Sequence, residues 1–290
     1  MARWMWSLAV LACLAAAACG SSSGPADDGV SVSPQNTTLL VGLNRVSIAL
    51  LDQQQNPVHA TAVHMQVVNA QGRAIDSVTM HGIGPEYGGI PVYVGVATFP
   101  DVGQFQYVVN ATGAGGRQLA GQAYVTVMLK GSSVPVGAAT PALHQAVLGD
   151  PGVTLASIDS GNPPDDWHSA TIAQGLAQHR PMVLYFGDPA YCPSKTCGPT
   201  HQILEQLCAQ YCGQLLFEHI ETYYPAGPPG PQAHVNPAFS AFGLQTDPWI
   251  YFVNAAGVIA DRYEGPVTLS DLVQSARGTL AGAVPAVALG

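Results

Sequence analysis

With 290 residues and a mass near 30 kDa, the chain is long enough for one large domain or two ordinary ones. Charged residues make up 9% and hydrophobic ones 48%, the reverse of what intrinsic disorder requires. Nine basic residues against 18 acidic ones leave no electrostatic basis for gripping nucleic acid. The acidic excess is concentrated in residues 136–290. The 32 glycines and 23 prolines imply many turns.

At the N-terminus, Arg3 precedes an apolar run from Trp4 to Ala18. One cation, an apolar core shorter than the ~20 residues of a spanning helix, and small residues at its end follow the plan of a secretory signal. Ala16-Ala17-Ala18-Cys19-Gly20 resembles the lipobox of bacterial lipoproteins, with Ala16 where Leu is commoner. Val10-Leu11-Ala12-Cys13 is a competing box that would leave a very short apolar core. The resemblance implies a signal peptide over 1–19 and lipidation of Cys19. The protein would then be extracytoplasmic and held to the membrane by its lipid, with plain signal cleavage as the alternative. Residues 20–29 read as a flexible tether.

Residues 30–130 have the character of short strands separated by turns. Val46–Leu51, Ala62–Val68, Val92–Phe99, Phe105–Val109 and Ala123–Val127 are rich in β-branched and aromatic residues, several alternating with period two. Gln55-Asn56-Pro57, Gln71-Gly72, Gly88-Gly89 and Gly113–Gly116 supply turn chemistry between them. The pattern predicts an antiparallel sandwich and resembles bacterial immunoglobulin-like modules. Residues 131–159 read as a linker. A helix is predicted from Asp165 to His179, its acidic pair suiting a helix N-terminus. Met182–Phe186 is a buried strand. Elements then follow as helix 198–212, strand 215–220, short helix 236–242, strands 249–253 and 258–263, and helix 268–280.

Tyr191-Cys192-Pro193-Ser194-Lys195-Thr196-Cys197-Gly198-Pro199 lies between the first of these strands and a helix. With Thr246-Asp247-Pro248-Trp249 entering a later strand, and the Asn254–Ile259 hairpin, it resembles the thioredoxin fold over residues 160–284. The expected fold class is therefore an all-β immunoglobulin-like sandwich followed by an α/β thioredoxin-like fold. The resemblance implies a thiol–disulfide oxidoreductase acting on the thiols and disulfides of exported proteins. Cys192 would attack and Cys197 resolve, the two forming a disulfide when oxidised. Tyr191 stands in the place of the family's Trp, Pro193 follows the first cysteine, and Pro248 stands for the family's cis-proline. A thiolate at a helix N-terminus meets unpaired N–H groups, which lower its pKa, and Lys195 is the only Lys or Arg in the loop.

Four residues separate the cysteines where the family has two, so an alternative alignment makes Cys197 the nucleophile. The buried acid that moves protons in many thioredoxins is not evident around Tyr185 and Phe186. Another alternative is an inert, structural Cys192–Cys197 disulfide in a binding module. A peroxidase reading fails at Pro189, which stands where that chemistry needs Ser or Thr three residues before Cys192; Cys197 does have Ser194 three before it. Copper handling is the main rival, because soft thiolates select Cu(I). His201 or His234 would have to supply a distant ligand, with His64-Met65 and Met80-His81 as further soft candidates. No other cofactor is expected. Cys208 and Cys212, four apart, share one helix face and suggest core residues, a second disulfide or a metal role.

Overall fold

The computed structural model describes residues 28–36, 38–231 and 233–283. The expected signal sequence and the expected lipidation site, Cys19, lie outside these residues. Among the described residues, no helix is long and apolar enough to cross a membrane.

The first half is a sheet of nine strands: β1 (Asp28–Gly29), β2 (Ser31–Pro34), β3 (Leu39–Leu40), β4 (Gly42–Leu51), β5 (Ala60–Asn69), β6 (Ala74–Gly82), β7 (Val92–Phe99), β8 (Gly103–Gly113) and β9 (Gln118–Met128). The main path runs β1-β9-β8-β5-β6-β7-β4-β2, with β3 attached to β9. Alternation builds it: Val63, Met65 and Val67 of β5 point inward with Phe105, Tyr107 and Val109 of β8, while His64 and Gln66 face water. β6 pairs with β5 through Ala74–Met80 and with β7 through His81 and Gly82. The sheet thus curls through one shared strand and closes over a single apolar core.

A segment without long regular elements follows, carrying the one-turn helix α1 (Leu155–Ile158). It is fastened to the second half: Val134 N–H donates to Phe242 O at 3.0 Å, and Ala139 bridges to Val258. Then come α2 (Ile172–Ala177), β10 (Met182–Phe186), α3 (Cys197–Tyr211), β11 (Leu216–Ile220), α4 (Pro237–Ala241), β12 (Trp249–Val253), β13 (Ile259–Glu264) and α5 (Leu269–Leu280). The four strands form a second sheet in the order β11-β10-β12-β13, with β10 parallel to β11 and antiparallel to β12. All five residues of β10 are buried because both faces are covered. Val183 and Tyr185 pack with Ile203, Leu204 and Leu207 of α3 and Leu272 of α5. Met182, Leu184 and Phe186 meet Ile172, Phe239 and Phe242.

Two expectations are corrected. The fold class, an immunoglobulin-like sandwich followed by an α/β thioredoxin-like fold, is overturned: the described residues are only 18% helical and their regular structure is mostly β. Its larger part is one curled sheet instead of two separate ones, and α1, α2 and α4 are only four to six residues long. The helix predicted from Asp165 to His179 begins instead at Ile172. Thr171 caps it, accepting from Gln174 N–H while Gln174 reaches back to Thr171 N–H. Asp165 turns its carboxylate onto Trp167 N–H at 2.8 Å, a local bond that competes with helix formation.

The halves share packing. Ile83, Tyr87 and Val92 from the first belong to the same apolar cluster as α3 and α5. Arg45 of β4 donates to Pro266 O at 2.5 Å and pairs with Asp271 at 3.2 Å.

Candidate functional site

The chain leaves β10 at Phe186 and runs through an irregular loop into α3. Asp188 organises this loop: its carbonyl accepts from Tyr191 N–H (3.1 Å) and Cys192 N–H (3.0 Å). Lys195, exposed and in the left-handed region at φ 59°, donates its N–H to Cys192 O at 3.1 Å. That reversal brings Cys192 onto Cys197, the first residue of α3, and the two form a disulfide. Cys192 is half-buried and Cys197 fully buried, so Cys192 is the sulfur that solvent reaches. Ser194 Oγ lies 3.1 Å from Cys192 Sγ and 2.6 Å from Thr196 Oγ1.

Three long-range contacts complete the loop. Tyr185 donates to Cys197 O at 3.0 Å from below. Tyr87 crosses from the first half, donating to Thr196 O at 2.7 Å and meeting Thr200 Oγ1 at 2.5 Å. The third is Asp247, whose Oδ2 stands 3.4 Å from Cys197 Sγ. Asp247 is joined to Pro248 by a cis peptide bond. Burial, helped by the nearby charge of Asp188, pushes the Asp247 carboxyl up to about 6. Behind it, burial and a hydrogen bond shared with Asp188 push Glu221 up to about 8. Asp188 accepts Thr222 N–H at 2.6 Å.

Tyr191, Pro193, Asp188, Asp247 and the proline-rich segment residues Tyr223 and Pro229 line a cleft of about 510 Å³. Among the sequence-predicted residues, Tyr191 is exposed at its mouth, Pro193 forms its wall and Pro248 is buried behind Asp247. The expected copper ligands are elsewhere. His64 and His81 are exposed on the first sheet, Met65 and Met80 are in its core, and His234 is exposed. His201 is turned away onto Asp165 at 2.8 Å. Sequence reading places Asp247 beside Pro248 at the entry to β12 but does not count its carboxylate as a donor. At the other end of α3, Cys208 and Cys212 form a second disulfide, with Cys212 N–H bonded to Cys208 O at 2.8 Å.

A second polar group lies along β11, the edge strand of its sheet. The segment 159–170 covers that edge through side-chain and backbone hydrogen bonds to the strand and the residue after it. Glu221 accepts Ser160 N–H (2.6 Å), Glu218 accepts Ala170 N–H (2.9 Å), and His219 N–H donates to Trp167 O (2.8 Å). Burial pushes the Glu218 carboxyl up to about 8. Burial pulls His219 toward neutrality, but hydrogen bonds to Asp159 and Asp165 outweigh it and hold the imidazole charged. Burial likewise opposes ionisation of Asp165, yet bonds from His168, His201 and His219 keep it far below the usual carboxylate range.

No family model and no curated protein matches the sequence. Among solved structures, CopC from Methylosinus trichosporium OB3b is similar at 12% identity and TM-score 0.25, over 32% of this chain and 83% of that one. A DUF4426 family protein from Pseudomonas aeruginosa PAO1 is similar at 9% identity and TM-score 0.24, over 31% and 76%. The CARDB domain of a Pyrococcus furiosus protein, in complex with di-metal ions, is similar at 10% identity and TM-score 0.19, over 34% and 86%. None of these three likenesses extends beyond about a third of the chain.

Proposed function

We propose that this chain is an extracytoplasmic protein, lipid-anchored through Cys19, that handles a thiophilic metal ion at the Cys192–Cys197 pair. One observation carries the reading: Cys192 Sγ, Cys197 Sγ and a carboxylate oxygen of Asp247 all lie within 4.8 Å of one another. Two thiolates favour Cu(I) or Zn(II), and Asp247 adds a third donor. The disulfide must open first. An external dithiol supplies two electrons and two protons and is itself oxidised to a disulfide, leaving two cysteine thiols. The incoming ion then displaces the thiol protons. Half-buried Cys192 meets the reductant, and the cleft beside Tyr191 and Pro193 is the way in.

The test is a titration of the reduced full chain with Cu(I) against the chromophoric chelator bathocuproine disulfonate. One copper per chain is expected, with loss of binding in both Cys192→Ser and Cys197→Ser. Copper retained by both variants refutes the reading.

A second reading, thiol–disulfide exchange with exported proteins, is favoured by one contact. A half-buried carboxyl raised to about 6, set 3.4 Å from Cys197 Sγ, is suited to take that thiol's proton. Insulin reduction by the full chain, losing a step near pH 6 in Asp247→Asn, supports exchange. No turnover together with no copper leaves a binding module pinned by an inert disulfide.

A further inference from the structure

The polar group along β11 contains four ligand-bearing side chains that meet at one point: Asp159, Asp165, His168 and His219. Their side chains are 1%, 4%, 1% and 0% exposed. His168 Nε2 is 3.2 Å from an oxygen of Asp159 and 3.2 Å from one of Asp165. His219 Nδ1 is 2.9 Å from Asp165 and 3.8 Å from Asp159. Ligand atoms held tetrahedrally at bonds of about 2.0–2.1 Å stand about 3.3–3.4 Å apart. The nitrogen–oxygen separations run from 2.9 to 3.8 Å, with His168 and His219 meeting different oxygens of Asp165, one of which would be the ligand.

Backbone hydrogen bonds also reach the cluster: Asp165 N–H donates to Asp159 Oδ2 and Trp167 N–H to Asp165 Oδ1, each at 2.8 Å. A single proton on His168 Nε2 is divided between two carboxylates at equal, long distances, and Asp159 is left 3.8 Å from His219. A divalent cation at the centre, displacing the proton from each facing ring nitrogen, would address all four ligands at once and take over the balance of the two carboxylate charges. The surroundings have the form of an outer shell around metal ligands. His219 Nε2 donates to Gly187 O at 2.9 Å, which aims Nδ1 at the centre. His201 Nε2 holds Asp165 Oδ2 at 2.8 Å, and Gly161 N–H holds Asp159 Oδ1 at 2.6 Å.

We propose that Asp159, Asp165, His168 and His219 form a buried tetrahedral site for a divalent first-row cation, best suited to zinc, that staples the segment 159–168 to β11. The staple ends one residue from Asp188, the residue whose carbonyl holds Cys192 N–H, so it also braces the cysteine loop. It is separate from the dithiol group and of different chemistry: two imidazoles and two carboxylates, with no sulfur.

The full chain carrying Cys192→Ser and Cys197→Ser removes the dithiol group, so failure here is distinguishable from failure of the copper reading. After treatment with a chelator it is titrated with zinc, and separately with cobalt. One zinc per chain by elemental analysis is expected, together with the visible ligand-field bands of tetrahedral cobalt and no thiolate charge-transfer band. Asp165→Asn in the same background keeps the side-chain shape and is expected to bind about a hundredfold more weakly while remaining folded by circular dichroism. If Asp165→Asn does not fold, the zinc stoichiometry and cobalt spectrum of the parent decide alone. A folded parent that takes up neither metal, or equal zinc affinity in a folded Asp165→Asn variant, overturns the proposal.

Discussion

The two sheets keep their polar groups in opposite places. The nine-stranded sheet encloses Val46, Ile48, Leu50, Met65, Val67, Phe99 and Tyr107. Its one buried cation, Arg45, points out of that core toward Pro266 and Asp271 of the other half. The four-stranded sheet buries Asp159, His168, Asp188, Glu218, His219 and Glu221. Burying ionised groups costs several kcal/mol each unless partners compensate. The second sheet meets that cost along β11 and the cysteine loop, where irregular backbone needs acceptors and where metal or thiol chemistry is proposed, and at Arg262 and Glu264 of β13, which bond Ser133 and Thr246. An apolar core is sufficient to hold a sheet; buried charge here marks segments that the sheet alone does not hold.

Substitutions can break or sharpen this contrast. The largest effect is expected from Asp165→Ala, which leaves His219 buried without its nearest carboxylate and costs about 3–5 kcal/mol in urea unfolding. A loss below 1 kcal/mol would mean that the buried charges are dispensable. Met65→Ala in the first core should cost about 2–4 kcal/mol through its cavity, by the same amount at pH 5 and pH 8.

Glu218 tests the contrast through pH. Its carboxyl stays neutral in the fold up to about 8 but ionises near 4.5 in the unfolded chain. Raising the pH through that window therefore withdraws stability, by about 2–4 kcal/mol. Glu218→Gln, which cannot ionise, should flatten this part of the profile of melting temperature against pH. An unchanged slope would remove Glu218 from the account.

Tyr87→Phe deletes the hydroxyl that ties the first half to Thr196 and Thr200, at a cost of about 1–2 kcal/mol. Reduction of the Cys192–Cys197 disulfide should also become faster if that hydroxyl steadies the loop. The smallest effect belongs to His64→Ala, exposed on β5, which should stay within about 0.5 kcal/mol by thermal melting.

Period-two alternation made β5 and β8 legible, and the continuous apolar run made β10 legible, because both patterns state which faces are covered. β6 was missed: Asp76, Ser77 and Thr79 dilute its apolar positions, and its place depends on pairing with two neighbours. Asp165-Asp166 reads as a helix start from its charge, but Asp165 is drawn inward by three imidazoles, two of them 36 and 54 residues away. The distant histidine and methionine candidates for copper lie away from the cysteines for a related reason. His201, one turn after Cys197 on α3, has its Nε2 held by Asp165 instead.

By itself, the sequence determined what neighbouring residues decide: strand alternation, the start of α3 to within one residue of Gly198, and two cysteines close enough in one loop to meet. Backbone hydrogen bonding and side-chain direction are local properties, repeated every few residues. Tertiary structure alone decided that Asp247 stands against Cys197, that Tyr87 crosses between halves, and that two aspartates and two histidines converge behind β11. Those meetings depend on how whole sheets pack. Packing also sets burial, and burial sets which carboxyls stay protonated and which side chains can hold a metal ion.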